Sequence, residues 1–390
     1  LPLAIYVLGL SVFALGTSEF MIAGLLPSIA ADLGVSIPDA GLLVSAFAAG
    51  MIVGAPLLAA ATLRLPRKLT MLAMLAVFAL GHAGGALAPT YEVLFASRLV
   101  CALACAGFWA VAAVTAMSLV PAGRRGRAMA VVVGGLTTAN VLGVPAGTFV
   151  GQHGGWRTAF WAVGGLAIVA FAGVLALIPA SAGRTGERPR LRAELRAYRD
   201  REVWLALVIS ALTVATSMAT FSYLAPLLTD VTGLAPGWIP VLLGVYGVGA
   251  LTGVTLGGRL ADTRPLTTLA AALGGTLVVL VLIGLAASSA PVTVVAIFLL
   301  GLLGFVTNPS LNTRVFTLAG DAPTLAGATN VTAFNVGIVV APWLGGLAIE
   351  AGSGYAGVAW VSVALGVAAL AGVALAAALA RRAPVPALVR

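Results

Sequence analysis

Charge is what this chain has least of. Only 8% of its 390 residues are charged, where a soluble globular domain carries about 25%, and 61% are hydrophobic. Mean hydropathy is +1.11. Soluble enzymes and soluble binding modules are excluded, and a polytopic membrane protein is indicated. Lysine occurs once, at Lys68, outside any Gly-Lys-Ser/Thr context, so the chain encodes no phosphate-binding loop and no ATP motor. Histidine occurs only at positions 82 and 153, both expected to be structural. Cysteine occurs only at Cys101 and Cys105, one helical turn apart, which suits small apolar packing residues better than a disulfide or metal pair. No His-Glu-x-x-His, Gly-x-Ser-x-Gly or paired acids fall in the apolar runs, so a membrane enzyme lacks its catalytic cluster. No metal and no cofactor are expected. The first apolar run is too long for a cleavable signal peptide and lacks a basic leader.

What is there is a series of long apolar runs. Twelve helices are expected, over 3–26, 40–63, 69–88, 91–120, 126–150, 158–178, 203–228, 238–257, 266–287, 291–313, 324–349 and 356–380. Each is long enough to cross about 30 Å of hydrocarbon at about 1.5 Å per residue. The runs are continuous, without the alternation of a barrel strand. The formal charge of +9 resembles a nucleic-acid signature until its positions are read. Arg64, Arg67 and Lys68, then Arg124, Arg125 and Arg127, seven arginines from Arg184 to Arg201, Arg259 and Arg264, Arg314, and Arg381, Arg382 and Arg390 all fall between or beyond helices on one side. Only Arg98 and Arg157 fall elsewhere. The positive-inside rule then puts both termini in the cytoplasm and leaves no case for nucleic acid.

The sequence also repeats. Pro27, Gly34, Phe47, Gly50 and Gly54 recur as Pro226, Gly233, Tyr246, Gly249 and Gly253, each offset by 199. The repeat starts on odd helices, so the halves are parallel: a bundle over 1–178, an Arg-rich cytoplasmic linker over 179–202, and a second bundle over 203–390. Parallel six-helix halves are the architecture of the major facilitator transporters, which bind substrate between halves that rock. Within the linker, Leu191, Leu195 and Tyr198 share one face, as in a short surface helix; a solvated charge run accounts for them equally.

Three stretches carry chemistry. Glu19 is the one acid expected deep within a span, where a charge costs about 2.5–3.5 kcal/mol on insertion scales. It is tolerated if it faces a polar cavity, finds a partner or takes up a proton, which a proton-driven transporter needs. Otherwise it is a neutral acid hydrogen-bonded to Thr17 or Ser18. Arg98 in the fourth helix, with Cys101, Ala102, Cys105 and Trp109 on its face, either meets a cavity or an acid, or snorkels to the outer surface. In the fifth helix, Asn140, Gly143 and Gly147 form a stripe of small side chains around Pro145, which bends a helix. Generic glycine packing explains that stripe alone. Asn308, Asn312, Asn330, Phe334 and Tyr223 are further candidates for a substrate cavity, although inter-helix hydrogen bonding accounts for each polar group taken singly.

These stretches resemble a known family. Gly135 to Gly151, followed by Gly155-Trp156-Arg157-Thr158-Ala159-Phe160, is similar to the antiporter motif of drug-exporting major facilitators. Arg98 matches the arginine of that family's helix-4 motif, which is tied to proton transfer; the glutamine and glycine that follow it in the family are absent here. Gly258, Leu260, Asp262 and Arg264 resemble the gate loop after the eighth helix. Its first copy, with Arg64, Arg67 and Lys68, departs, carrying Leu63 for the aspartate and Pro66 for a glycine. Gly16-Thr17-Ser18-Glu19-Phe20-Met21, Gly50-Met51-Ile52-Val53-Gly54-Ala55-Pro56 and Gly143-Val144-Pro145-Ala146-Gly147 are similar to the actinomycete chloramphenicol exporters among the twelve-helix drug:proton antiporters. The resemblance implies an all-α major facilitator fold in the bacterial cytoplasmic membrane. It also implies a functional monomer exchanging protons for a small, mostly apolar drug, chloramphenicol first. It assigns proton coupling to Glu19 and Arg98. Sugar and nucleoside or purine exporters share the Glu-Phe start and the Gly-Trp-Arg run, and stand as the alternative. A passive facilitator would need no titratable acid in its core.

Overall fold

The computed structural model describes residues 1–62, 65–179, 201–261, 264–319 and 323–382. Among these described residues, twelve long helices follow one another. They are α1 (Leu3–Leu33), α2 (Ile37–Thr62), α3 (Arg67–Ala86), α4 (Tyr91–Ser118), α5 (Arg125–Gly154) and α6 (Trp156–Leu177), then α7 (Arg201–Ser222), α8 (Ile239–Ala261), α9 (Pro265–Ala286), α10 (Ala290–Ala319), α11 (Pro323–Ala348) and α12 (Gly354–Arg382). All match the expected runs, and several extend beyond them. α1 continues about two further turns, to the chain reversal at Gly34. The expected linker helix at Leu191, Leu195 and Tyr198 lies outside the described residues, as do Arg64 and Asp262.

The outward surfaces carry Leu80, Leu87, Val278 and Leu285, all exposed. Such faces need hydrocarbon around them. Inside, packing relies on small residues rather than on a hydrophobic driving force, since lipid is as apolar as leucine.

The repeat is visible in the backbone. Gly34 and Gly233 both have positive φ, 65° and 74°; Gly34 ends α1, and Gly233 follows the π-helical turn Leu227–Val231 that comes after α7. Gly155 and Gly354, again 199 apart, both have positive φ at the turns into α6 and α12. A Cβ on Gly50 or Gly54 would meet Leu99, Ala102, Leu103 and Ala106 of α4, and one on Gly249 or Gly253 would meet Phe298 and Leu302 of α10. The two halves therefore use the same helix pair, second on fourth and eighth on tenth. They join along two seams, α2 with α11 and α5 with α8, which the repeat relates to each other.

Candidate functional site

α1 lies at the centre of the first half, and α5 runs alongside it. The small residues of α5 make that approach possible. Cβ atoms built on Gly135, Gly143, Gly147 and Gly151 would meet Gly9, Thr17, Met21 and Leu25, each pair 126 apart in sequence. That constant register describes two parallel helices in contact over four turns. Pro145 lacks the N–H that would close the preceding turn, and the helix accommodates it with a π-helical turn over Ala139–Gly143. Asn140 is buried in that turn, with its Nδ2 donating to the Leu136 carbonyl at 3.2 Å. Gly247 of α8 packs on the Asn140 carbonyl across the seam, where a Cβ would come within 2.6 Å, and Pro145 is the nearest neighbour of Gly244.

On the other side of α1 is a buried polar cluster. Arg98 is 0% exposed, so it does not snorkel. Its Nη1 donates to Ser18 Oγ at 2.8 Å and its Nη2 to the Ser18 carbonyl at 2.9 Å. The guanidinium carbon sits 4.4 Å from the centre of the Phe47 ring, a cation–π contact from α2. Among the described residues, its buried Nε has no partner. His82 of α3, also 0% exposed, reaches the same Ser18 Oγ from its Nε2 at 2.8 Å, while its Nδ1 lies 2.9 Å from the Phe78 carbonyl. Cys101 Sγ is 3.3 Å from Nδ1, and both cysteines are free and buried.

Hydrogen-bond accounting fixes the protons here. A guanidinium only donates, so Ser18 Oγ accepts from Arg98. The Ser18 hydroxyl proton then goes to His82 Nε2, and Nδ1 carries the hydrogen donated to the Phe78 carbonyl. A second charge buried beside the Arg98 cation is disfavoured, so His82 is a neutral imidazole holding a serine in position for an arginine. The sequence offers Ser18 only as a partner for Glu19, Phe47 only as a repeat position and His82 only as a structural residue, and ties none of them to Arg98. A histidine within a span was the available signal.

Glu19 is adjacent to Ser18 in sequence but does not share its hydrogen bonds. It is partly buried. Among the described residues it makes no hydrogen bond and no ion pair. Its carboxylate is within electrostatic range of Arg98 and Cys105 without touching either. Phe20, next in sequence, meets Phe221 of α7 edge to face with ring centres 6.4 Å apart, and Phe221 in turn packs on Tyr246 at 4.5 Å. An aromatic contact between halves therefore lies directly beside the acid.

Several candidates have other partners. Tyr223 is 1% exposed; its hydroxyl donates to the Pro342 carbonyl at 2.7 Å, and it packs on Gly41 of α2. It closes the seam between α2 and α11 rather than lining an open cavity. Asn330 is buried, accepting from Ser210 at 3.0 Å and donating to Asn312 at 2.8 Å, so its amide ties α7, α10 and α11 together. Phe334 packs within the core of the second half, near Ile209, Leu273 and Leu311. Asn308 and Trp109 are partly buried. Lys68 donates to the Leu175 carbonyl of α6 at 2.7 Å, a contact inside one half and not between halves. Arg67 and Arg264 begin α3 and cap α9.

The contacts joining the halves run from mid-bundle to the end remote from the termini. They include Ser45 to the Val339 carbonyl at 2.9 Å, Gln152 to the Pro236 carbonyl at 2.8 Å, and the close approaches of Gly24 to Leu243 and Gly346 to Pro38.

Comparison with known proteins agrees with this architecture. A bacterial homologue of the human lysosomal transporter Spinster, solved in an inward-facing, unoccupied conformation, superposes with a TM-score of 0.76 over 96% of this chain and 95% of its own, at 16% identity. The chain is 45% identical to a chloramphenicol resistance protein of Streptomyces lividans over 93% of both chains. It is 35% identical to the inner membrane transport protein YdhP of Escherichia coli K12 over 89% of both. The Major Facilitator Superfamily model matches residues 8–342. With its twelve helices, its two repeat-related seams and that match, the chain belongs to the major facilitator superfamily and is a membrane transporter.

Proposed function

We propose that the protein exports a small, mostly apolar antibiotic, chloramphenicol first, in exchange for protons, by alternating access across the bacterial cytoplasmic membrane. One observation carries the reading: an acid inside a membrane span, Glu19, has no hydrogen bond or ion pair among the described residues, while a buried cation, Arg98, is fastened one residue away. Such a carboxyl group is available to a proton or to a ligand. The similarity to a chloramphenicol resistance protein supports the choice of substrate. The counterparts of Glu19, His82 and Arg98 at the offset of 199 are Met218, Val281 and Ile297, so the ionisable groups belong to the first half alone.

In this scheme a functional monomer rocks residues 1–178 against 203–390 about the two seams, with both termini cytoplasmic and 179–202 as the linker. Drug enters from the cytoplasm as Glu19 gives up its proton. Outside, Glu19 takes a proton as drug leaves. Arg98 holds the carboxylate's charge when near and releases it when apart. Asn140, Gly143, Pro145 and Gly147 provide the close helix contact on which the rocking turns. Trp109 and Asn308 remain as cavity candidates; Arg64, Arg67, Asp262 and Arg264 remain as gate candidates.

The test is chloramphenicol accumulation in a pump-deficient host expressing the chain. Low accumulation that rises when a protonophore collapses the gradient is expected. Unchanged accumulation in both conditions, with the protein present in the membrane, would remove chloramphenicol and leave sugars or nucleosides as the alternative.

A further inference from the structure

The Arg98 cluster contains a group that the transport scheme leaves unused. His82 is fully buried in a membrane helix, and its nearest ionisable neighbours are Arg98 and Cys101. It does not touch Glu19. It holds the hydroxyl of Ser18, and that hydroxyl accepts Arg98.

The cluster has a directional logic. Without an acceptor for its proton, the Ser18 hydroxyl is free to rotate, and its lone pairs are no longer fixed toward Arg98. The imidazole Nε2 supplies that acceptor, and the Nδ1–H bond to the Phe78 carbonyl fixes the ring so that Nε2 faces Ser18. The Phe78 and Phe160 rings, at 4.2 and 5.7 Å, pack against the imidazole and hold its plane. Arg98 thus has two fixed acceptors on Ser18 and one unpartnered donor, Nε. A buried guanidinium with a spare donor and no anion in contact is satisfied better by a carboxylate. The nearby carboxylate is Glu19.

We infer that His82 and Ser18 form a latch that keeps Arg98 off Glu19 in the conformation seen here, and that transport moves Arg98 between Ser18 and Glu19. His82 and Ser18 are positioning residues: neither needs to meet the drug. The latch rests on the proton-exchange reading above and adds the element that separates the two charges.

Removing the latch leaves Arg98 paired with Glu19 whether or not drug is bound. Glu19 then stays ionised, and drug addition displaces no proton. The experiment uses the purified full-length protein in detergent, in weakly buffered solution with a pH dye, and adds chloramphenicol. The wild type is expected to release protons. Ser18→Ala and His82→Leu are each expected to release at least about ten-fold fewer, the effect of losing one buried hydrogen bond to a charged group. Ser18→Thr, which keeps the hydroxyl, is expected to restore release. Because both residues act through one hydroxyl, the double variant should be no worse than either single variant, whereas two independent structural lesions would add. If His82→Leu does not fold, Ser18→Ala and Ser18→Thr decide the matter, since they change only one small side chain.

Wild-type release with unchanged release in Ser18→Ala overturns the latch and leaves proton exchange standing. No release from the wild type overturns both. Reduced release in Ser18→Ala that Ser18→Thr does not restore also overturns the latch.

Discussion

Gly143 of α5 faces Thr17 of α1 so closely that a Cβ built on it would lie 2.0 Å from the Thr17 hydroxyl oxygen. That oxygen is itself committed to the Phe13 carbonyl at 2.8 Å. The residue two before Glu19 is therefore held by the glycine stripe of α5, so the stripe sets the position of the segment that carries the acid.

Alanine at Gly143 should force α1 and α5 apart and cost about 1–3 kcal/mol, as overpacking does. Gly135→Ala should cost more. Its Cβ would come 2.2 Å from the Gly9 carbonyl oxygen, and backbone cannot rotate away as a side chain can. Thermal unfolding midpoints in detergent should rank wild type above Gly143→Ala, and Gly143→Ala above Gly135→Ala. Thr17→Ala should partly restore the first variant and not the second.

Tyr223 seals the remote end of the bundle through one hydroxyl. Tyr223→Phe removes that hydrogen bond to the Pro342 carbonyl, at a cost of about 1 kcal/mol to the closed arrangement. Cysteines placed at Gln152 and Gly237, beside the hydrogen bond from Gln152 to the Pro236 carbonyl, should report it. Their cross-linking rate should fall about five-fold if closure is weakened by that amount.

The Asp32–Arg157 pair is a contrasting case. Both side chains are exposed, at 46% and 38%. Arg157 also donates to the Ala88 carbonyl at 3.0 Å and stacks on Trp156. Asp32→Asn should therefore change stability by no more than about 1 kcal/mol, read as the same unfolding midpoint. A larger loss would mean that this pair, rather than the packing around it, fixes the turn into α6.

The sequence and the structure agree where a physical constraint is local. Hydrocarbon thickness sets helix length, so all twelve helices were legible. The glycine spacing of α5 reads directly as a helix contact, because a missing side chain has few other uses at that regularity. Arg98 was legible as a residue of the site, but its partner was not. An arginine in a span predicts an acid, and Glu19 was the available acid. The structure instead gives Arg98 the oxygens of Ser18. That arrangement depends on where α3 brings His82, a contact between residues 64 positions apart in sequence. The asparagines of α10 and α11 were ambiguous for a related reason. An amide facing a cavity and an amide satisfying another helix have the same sequence signature, and Asn330 proves to be tied to Asn312 and Ser210. Tyr223 illustrates the same limit, since a tyrosine at the end of a helix says nothing about which seam it closes.

The proton-exchange account depends on Glu19 above every other residue. Its most direct test is drug-driven proton movement in sealed membrane vesicles containing wild type or Glu19→Gln, at equal protein content. The wild type is predicted to move protons when chloramphenicol is added on the cytoplasmic side, and Glu19→Gln, which keeps the shape and loses the ionisable group, to move none. Drug-induced proton movement that persists in Glu19→Gln would contradict the account.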